Sequence, residues 1–207
     1  MTKLITIAAL FITSLFFGQG KYEEGMGKAF QLWKDGSNTE ASAMFERIAS
    51  AEKDNWLPNY YVALVNVTTA FTTQDKDKLS ALLNKAQDAV DVELAKAPEN
   101  PELLVVQAMI YTAWIVYDPM ANGRKYGSKA SEVYEKAIKI APENPRVVFC
   151  KAEFEIGGAK FWGTDIKPMC AEVDRAIGLF ATYKNDTKFA PSWGLDRALE
   201  TQAACKK

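Results

Sequence analysis

Five residues, Ala-Pro-Glu-Asn-Pro, occur at Ala97–Pro101 and again at Ala141–Pro145, 44 residues further on. Self-similarity at such a period constrains a chain strongly, because each unit must then be one supersecondary element that buries its apolar face on its neighbours. The agreement spreads outward from both copies. Lys85-Ala86 corresponds to Lys129-Ala130 upstream, and Ala108 and Ala152 stand eight residues after Asn100 and Asn144. An earlier copy is visible with Asn55 eight residues before Ala63, and with Ala41 and Phe45 where Ala130 and Tyr134 stand.

Each unit reads as two helices. Glu102 to Tyr117 contains no Gly or Pro and is apolar almost all round, the pattern of a buried inner helix. Ser128 to Ile140 places Ala130, Val133, Tyr134, Ala137 and Ile138 at i, i+3, i+4, i+7 and i+8, an amphipathic outer helix. Pro142 stops it, and Asn144-Pro145 supplies an N-cap and a first-turn Pro for the next helix. The stretches at residues 117–127 and 157–165, rich in Gly and polar residues, read as long turns. Trp162 is expected to pin the second turn onto the core, and a final helix is expected over Ser192 to Cys205.

These residues resemble the tetratricopeptide repeat family. The family sets a small residue in the middle of the first helix, then small, aromatic and small residues in the second, and closes with Pro. Ala29, Leu32, Gly36, Ala41 and Phe45 follow that spacing, and so do Ala108, Tyr111, Ala130, Tyr134, Ala137 and Pro142. The second and third units carry about ten additional residues between their small positions, and the fourth, residues 145–180, is the most divergent. The resemblance implies an all-α fold: a right-handed superhelix of antiparallel helical hairpins, an α-solenoid with a C-terminal capping helix. It also implies that inner helices line a concave surface that binds a protein or peptide. The residues this maps there include Leu57, Tyr60, Leu64, Glu102, Val105, Met109, Arg146, Phe149 and Glu153, with Arg124 and Lys125 in the long turn facing an acidic partner.

Composition narrows the function. Lys3 is the only charge in the first 20 residues, residues 4–17 are almost wholly apolar, and Gly18-Gln19-Gly20 offers small residues at a cut. Residues 1–20 therefore read as a signal peptide too short to span a bilayer, and residues 21–207 as the helical-repeat domain. The expected location is periplasmic or secreted, without membrane insertion after cleavage. A formal net charge of −1 argues against nucleic acid, whose binders need a basic face. The chain contains no His, which removes the commonest neutral-pH base and metal ligand. No cofactor or metal site is read. The favoured function is a non-catalytic exported scaffold. The alternative is a small-ligand carrier or an enzyme with a pocket between the concave wall and the long turns. Asn66-Val67-Thr68 and Asn185-Asp186-Thr187 have the form of glycosylation sequons.

Outside the cytoplasm two of the three cysteines can pair. With antiparallel helices, Cys150 and Cys170 start neighbouring helices at opposite ends, about 10 Å or more apart along the axis at about 1.5 Å per residue. A last helix returning along its predecessor brings Cys205 to the level of Cys170, so Cys170–Cys205 is the expected disulfide, with three buried thiols as the alternative. Cleavage near Gly20 has a direct check: the intact mass of the exported protein should correspond to a chain starting within a few residues of Lys21, and recovery of Met1 in that fraction would refute the signal peptide.

Overall fold

The repeated Asn-Pro sets where two inner helices start. Asn100 and Asn144 each turn a side-chain oxygen onto two backbone N–H groups, those of Glu102 and Leu103 and those of Arg146 and Val147. A Pro follows each cap where a missing N–H costs nothing. The computed structural model describes residues 20–185 and 187–206, and the signal-peptide reading falls on residues 1–19, outside them, and on Gly20. Nine helices and no strands are formed among the described residues. They are α1 (20–34), α2 (Asn38–Ala51), α3 (Leu57–Ala70), α4 (Lys76–Leu94), α5 (Pro101–Tyr117), α6 (Pro119–Ile140), α7 (Pro145–Trp162), α8 (Lys167–Thr182) and α9 (Leu195–Cys205).

The architecture is an all-α array of helical hairpins. α3 packs on α4, α5 on α6 and α7 on α8, while the inner helices α3, α5 and α7 also touch in sequence. The small residues sit where backbones cross: Ala29, Ala41, Ala63, Ala86, Ala108, Ala130 and Ala176 are all fully buried. Phe45, Val90 and Tyr134 fill the grooves beside them. Between α1 and α2 the approach is closest at Gly25, where an added Cβ would meet Ile48 Cδ1 at 3.3 Å.

The long turns expected from sequence are helix instead. Asp118 caps α6 by accepting from the Ala121 N–H at 3.0 Å, and Pro119 follows, so the helix starts at residue 119 and carries Arg124 and Lys125 on its surface. Gly123 and Gly127 are tolerated inside it because the Tyr126 ring stacks on Tyr111 and Trp114, at 5.8 and 6.0 Å between centroids. α7 likewise runs through Gly157-Gly158 and stops only at Gly163, whose φ of +68° ends the helix. Trp162 does not pin a turn onto the core: it is 77% exposed. The extra residues of these units thus lengthen the helices. α9 begins at Leu195, three residues later than expected, because Gly194 takes φ +109°.

Cys170 on α8 and Cys205 at the end of α9 form a disulfide with Cα atoms 6.0 Å apart, and Cys150 is a buried free thiol. Asn66 cannot serve as a glycan acceptor, since it is buried and donates to Ser42 Oγ and the Val62 carbonyl, both at 2.7 Å. Packing at the crossings yields a test. Ala108→Leu should destabilise by about 1–3 kcal/mol, because a larger side chain forces two backbones apart. Ala121→Leu, at an exposed site of α6, should change stability by less than about 0.5 kcal/mol. Urea unfolding of the two variants measures the contrast, and equal effects would contradict the crossing.

Candidate ligand-binding face

At the start of the inner helices lies a buried polar cluster. The Arg146 guanidinium, 2% exposed, donates from Nε to both carboxylate oxygens of Glu102 at 2.9 Å and from Nη2 to Oε1 at 2.7 Å. Asn144 Nδ2 adds a third donor to Glu102 Oε1 at 2.7 Å, and the Tyr60 hydroxyl lies 3.5 Å from Oε2. Burial alone would disfavour the Arg146 charge, but the hydrogen bonds and charge of Glu102 outweigh it and raise the guanidinium above its ordinary value. The Tyr60 phenol is pushed well above its ordinary range by burial first and by Glu102 second, so it stays protonated and able to donate.

Residues 183–185 and 187–194 cover this cluster. Trp193 Nε1 donates to the Tyr60 hydroxyl at 2.7 Å, and the Tyr61 hydroxyl donates to the Phe189 carbonyl at 2.7 Å. Arg146 lies 5.1 Å from the Tyr183 ring centroid. A Cβ on Gly194 would stand 2.9 Å from Phe180 Cζ and 3.6 Å from Arg146 Cγ, so the chain there passes at contact distance and only Gly fits.

The residues assigned to the concave face therefore fall into distinct places. Tyr60, Leu64, Glu102, Met109, Arg146 and Phe149 are brought together but are buried, as are Leu57 and Val105. Glu153 is half-buried and accepts from Arg197 Nε of α9 at 2.6 Å. Arg124 and Lys125 are exposed on α6 and do not join the cluster; Lys125 instead sits 4.8 Å over the Tyr126 ring. The exposed concave wall expected from the repeat is thus closed over its first half by the chain's own covering residues. Sequence reasoning missed Tyr183, Phe189 and Trp193. Their signal was an aperiodic run with three aromatic residues around Pro191.

The other half of the inner face is different. Because Glu102 and Arg146 touch, α5 and α7 start level, and at 17 and 18 residues they end level. Their far ends carry Val116 (55% exposed), Phe161 (49%) and Trp162, and Met120 (80%) follows at the start of α6. Continuing the inner-face register by seven residues from Met109 and Glu153 arrives at Val116 and Lys160, both exposed. Beside them Gly157 and Gly158 are exposed within α7, and a Cβ on either would meet nothing within 4 Å. Each glycine costs a helix about 0.5–1 kcal/mol relative to Ala and here relieves no clash, leaving backbone open to close approach. Two surface depressions lie elsewhere: one on α6 is lined by Ser128, Ser131, Glu132, Glu135, Lys136 and Lys139, and another lies between α2, α3 and α4 beside Glu46, Asn59 and Lys85. The segments expected to frame a pocket as turns, residues 117–127 and 157–165, are largely helical instead.

No family model matches the chain, and no curated protein sequence matches it. Two solved structures resemble it in fold. The HusA haemophore from Porphyromonas gingivalis superposes with a TM-score of 0.79 at 21% identity, covering 89% of this chain and 92% of that one. TTC0263, a thermophilic TPR protein in Thermus thermophilus, superposes with a TM-score of 0.60 at 18% identity, covering 89% of each.

The buried ion pair makes a sharp prediction. Glu102→Ala should destabilise by about 3–5 kcal/mol, because it strands a desolvated guanidinium. Glu102→Met with Arg146→Leu should recover most of that loss, since replacing both charges by apolar groups removes the desolvation problem. Denaturant unfolding of both variants measures it; a double variant as unstable as the single one would contradict this account.

Proposed function

We propose that this chain is an exported, non-catalytic helical-repeat binding protein that carries a flat, apolar ligand of the tetrapyrrole class at the exposed ends of its inner helices. The observation that carries the reading is the set of exposed apolar side chains at the ends of α5 and α7 and the start of α6, near the uncovered backbone of Gly157-Gly158. Exposed apolar residues scattered singly need no explanation, but a group of them at one end of a fold marks a contact surface. Similarity to a haemophore over nearly the whole chain supports the choice of ligand. With no His in the sequence, haem would be held here through its ring faces and edges and not by imidazole ligation. Lys160, two residues from the end of α7, and Arg124 and Lys125, near the start of α6, supply cations for the ligand's carboxylates. The non-catalytic reading is supported by the polar cluster, whose Glu102 and Arg146 are committed to each other.

A protein or peptide partner on the first half of the face is the second reading, favoured by the similarity to a TPR protein. It requires the residues over Tyr60 and Arg146 to move aside. Export rests on residues 1–20 as a signal peptide, and a disulfide suits an oxidising compartment.

The test is a titration of the chain from Lys21 onward with haemin and with metal-free protoporphyrin. Both should bind with dissociation constants of about 1 μM or tighter, seen as a Soret shift and tryptophan quenching. Trp162→Ala should weaken both by about tenfold, the worth of roughly one aromatic stack. Absence of any spectral change up to about 50 μM porphyrin would end the proposal.

A further inference from the structure

The segment over the polar cluster is bound the way a ligand is bound. Residues 187–194 form no helix, and among their own backbone groups the one bond made is from the Ala190 N–H to the Thr187 carbonyl. Phe189 is held at φ +66°, a left-handed conformation that a bulky residue does not choose unaided. What fixes the segment is the floor beneath it. The Phe189 ring stacks on Phe30 at 5.7 Å and meets Tyr22 edge-on at 5.8 Å, its carbonyl takes the Tyr61 hydroxyl, and Trp193 reaches the Tyr60 hydroxyl. Lys188 adds an ion pair to Glu23 on α1 at 2.5 Å. The floor, in contrast, is complete by itself: Glu102, Arg146 and Asn144 satisfy one another without help from residues 187–194.

The segment is continuous with α9, and α9 is attached at its far end by the Cys170–Cys205 bond and along its length by Arg197 to Glu153. Resting on the peptide reading above, we propose that the first half of the inner face is a second binding site, for a turn-forming peptide with two aromatic residues four positions apart. This chain fills it in cis with residues 187–194, and the Cys170–Cys205 disulfide latches it shut. The occupant states the chemistry of the partner: an aromatic side chain whose own carbonyl accepts from Tyr61, a Pro between, and an indole N–H aimed at Tyr60. Opening the latch is a two-electron reduction. An external dithiol is oxidised to its own disulfide, the Cys170–Cys205 bond breaks, and each sulfur leaves carrying one hydrogen. A ring of 35 residues is then opened, and the segment is held covalently from the α8 side alone, which leaves it more freedom to lift from its floor.

The experiment uses the full exported chain in three forms: oxidised, reduced with dithiothreitol, and Cys170→Ser with Cys205→Ser. Hydrogen–deuterium exchange of residues 187–205 should speed up by at least about tenfold in the last two, out of the roughly several-hundredfold that closing such a ring confers at most. The amides of α3 and α5 should stay as they were. Unchanged exchange in residues 187–205, or an equal rise in α3 and α5, would overturn the latch. For the site itself, Phe189→Ala with Trp193→Ala weakens the cis copy, and a fluorescein-labelled peptide of residues 187–194 is the probe. Saturable binding to the reduced variant, at least about tenfold weaker to the oxidised one and lost when Ala replaces Trp in the peptide, is the expected result. No binding, or equal binding to both forms, would overturn it. Trp162→Ala should leave peptide binding unchanged, so failure here and failure of the tetrapyrrole reading are separable.

Discussion

Much of this structure depends on one desolvated ion pair. Glu102 and Arg146 stand in the first turns of consecutive inner helices and are almost wholly buried. An ion pair so placed gains little net stability over an apolar pair, yet it tolerates almost no displacement, because either partner alone is an uncompensated buried charge. That intolerance holds α5 and α7 in register. The register in turn brings the ends of both helices to one level, where Val116, Phe161 and Trp162 are exposed. Tyr183, Trp193 and Gly194 lie over the same cluster.

The inner face is therefore two surfaces built by one rule. Near the helix starts the side chains are large and polar, and the chain seals them with its own backbone. Near the helix ends they are apolar, the intervening positions are glycine, and described residues leave them exposed. A protein that captures a ligand outside the cell benefits from such a division. The sealed half adds a buried ion pair to helices whose exposed ends are held by contacts such as the stacking of Tyr126 on Tyr111 and Trp114.

How much of this was legible in the sequence follows from which interactions are local. The hairpins were readable because Asn-Pro caps, buried Ala positions and helical periodicity act over a few residues. The lengths of α6 and α7 were not. Gly123, Gly127, Gly157 and Gly158 are turn residues by propensity, and only tertiary stacking, as of Tyr126 on Tyr111 and Trp114, keeps the first two helical. The candidate site was half legible. Register placed Tyr60, Glu102, Met109, Arg146 and Phe149 on one face, and they do come together. Their burial was not readable, because it depends on aperiodic residues more than 30 positions further along the chain that have no pattern to extend. The antiparallel argument that paired Cys170 with Cys205 needed only the order of helix ends, and those two residues are the bonded pair.

The contact of residues 187–194 with α1 changes what kind of polymer this is. A linear repeat array couples only nearest neighbours, so it frays from its ends and each unit melts nearly by itself. Here Lys188 and Phe189 reach back to Glu23, Tyr22 and Phe30, joining groups up to 165 positions apart. The first helix and the segment that leads into the last one are thus neighbours, so among the described residues α1 is not a free end from which melting can start cheaply. An open chain of repeats has been turned into a closed circuit, whose unfolding is expected to be all-or-none, as in a globular domain.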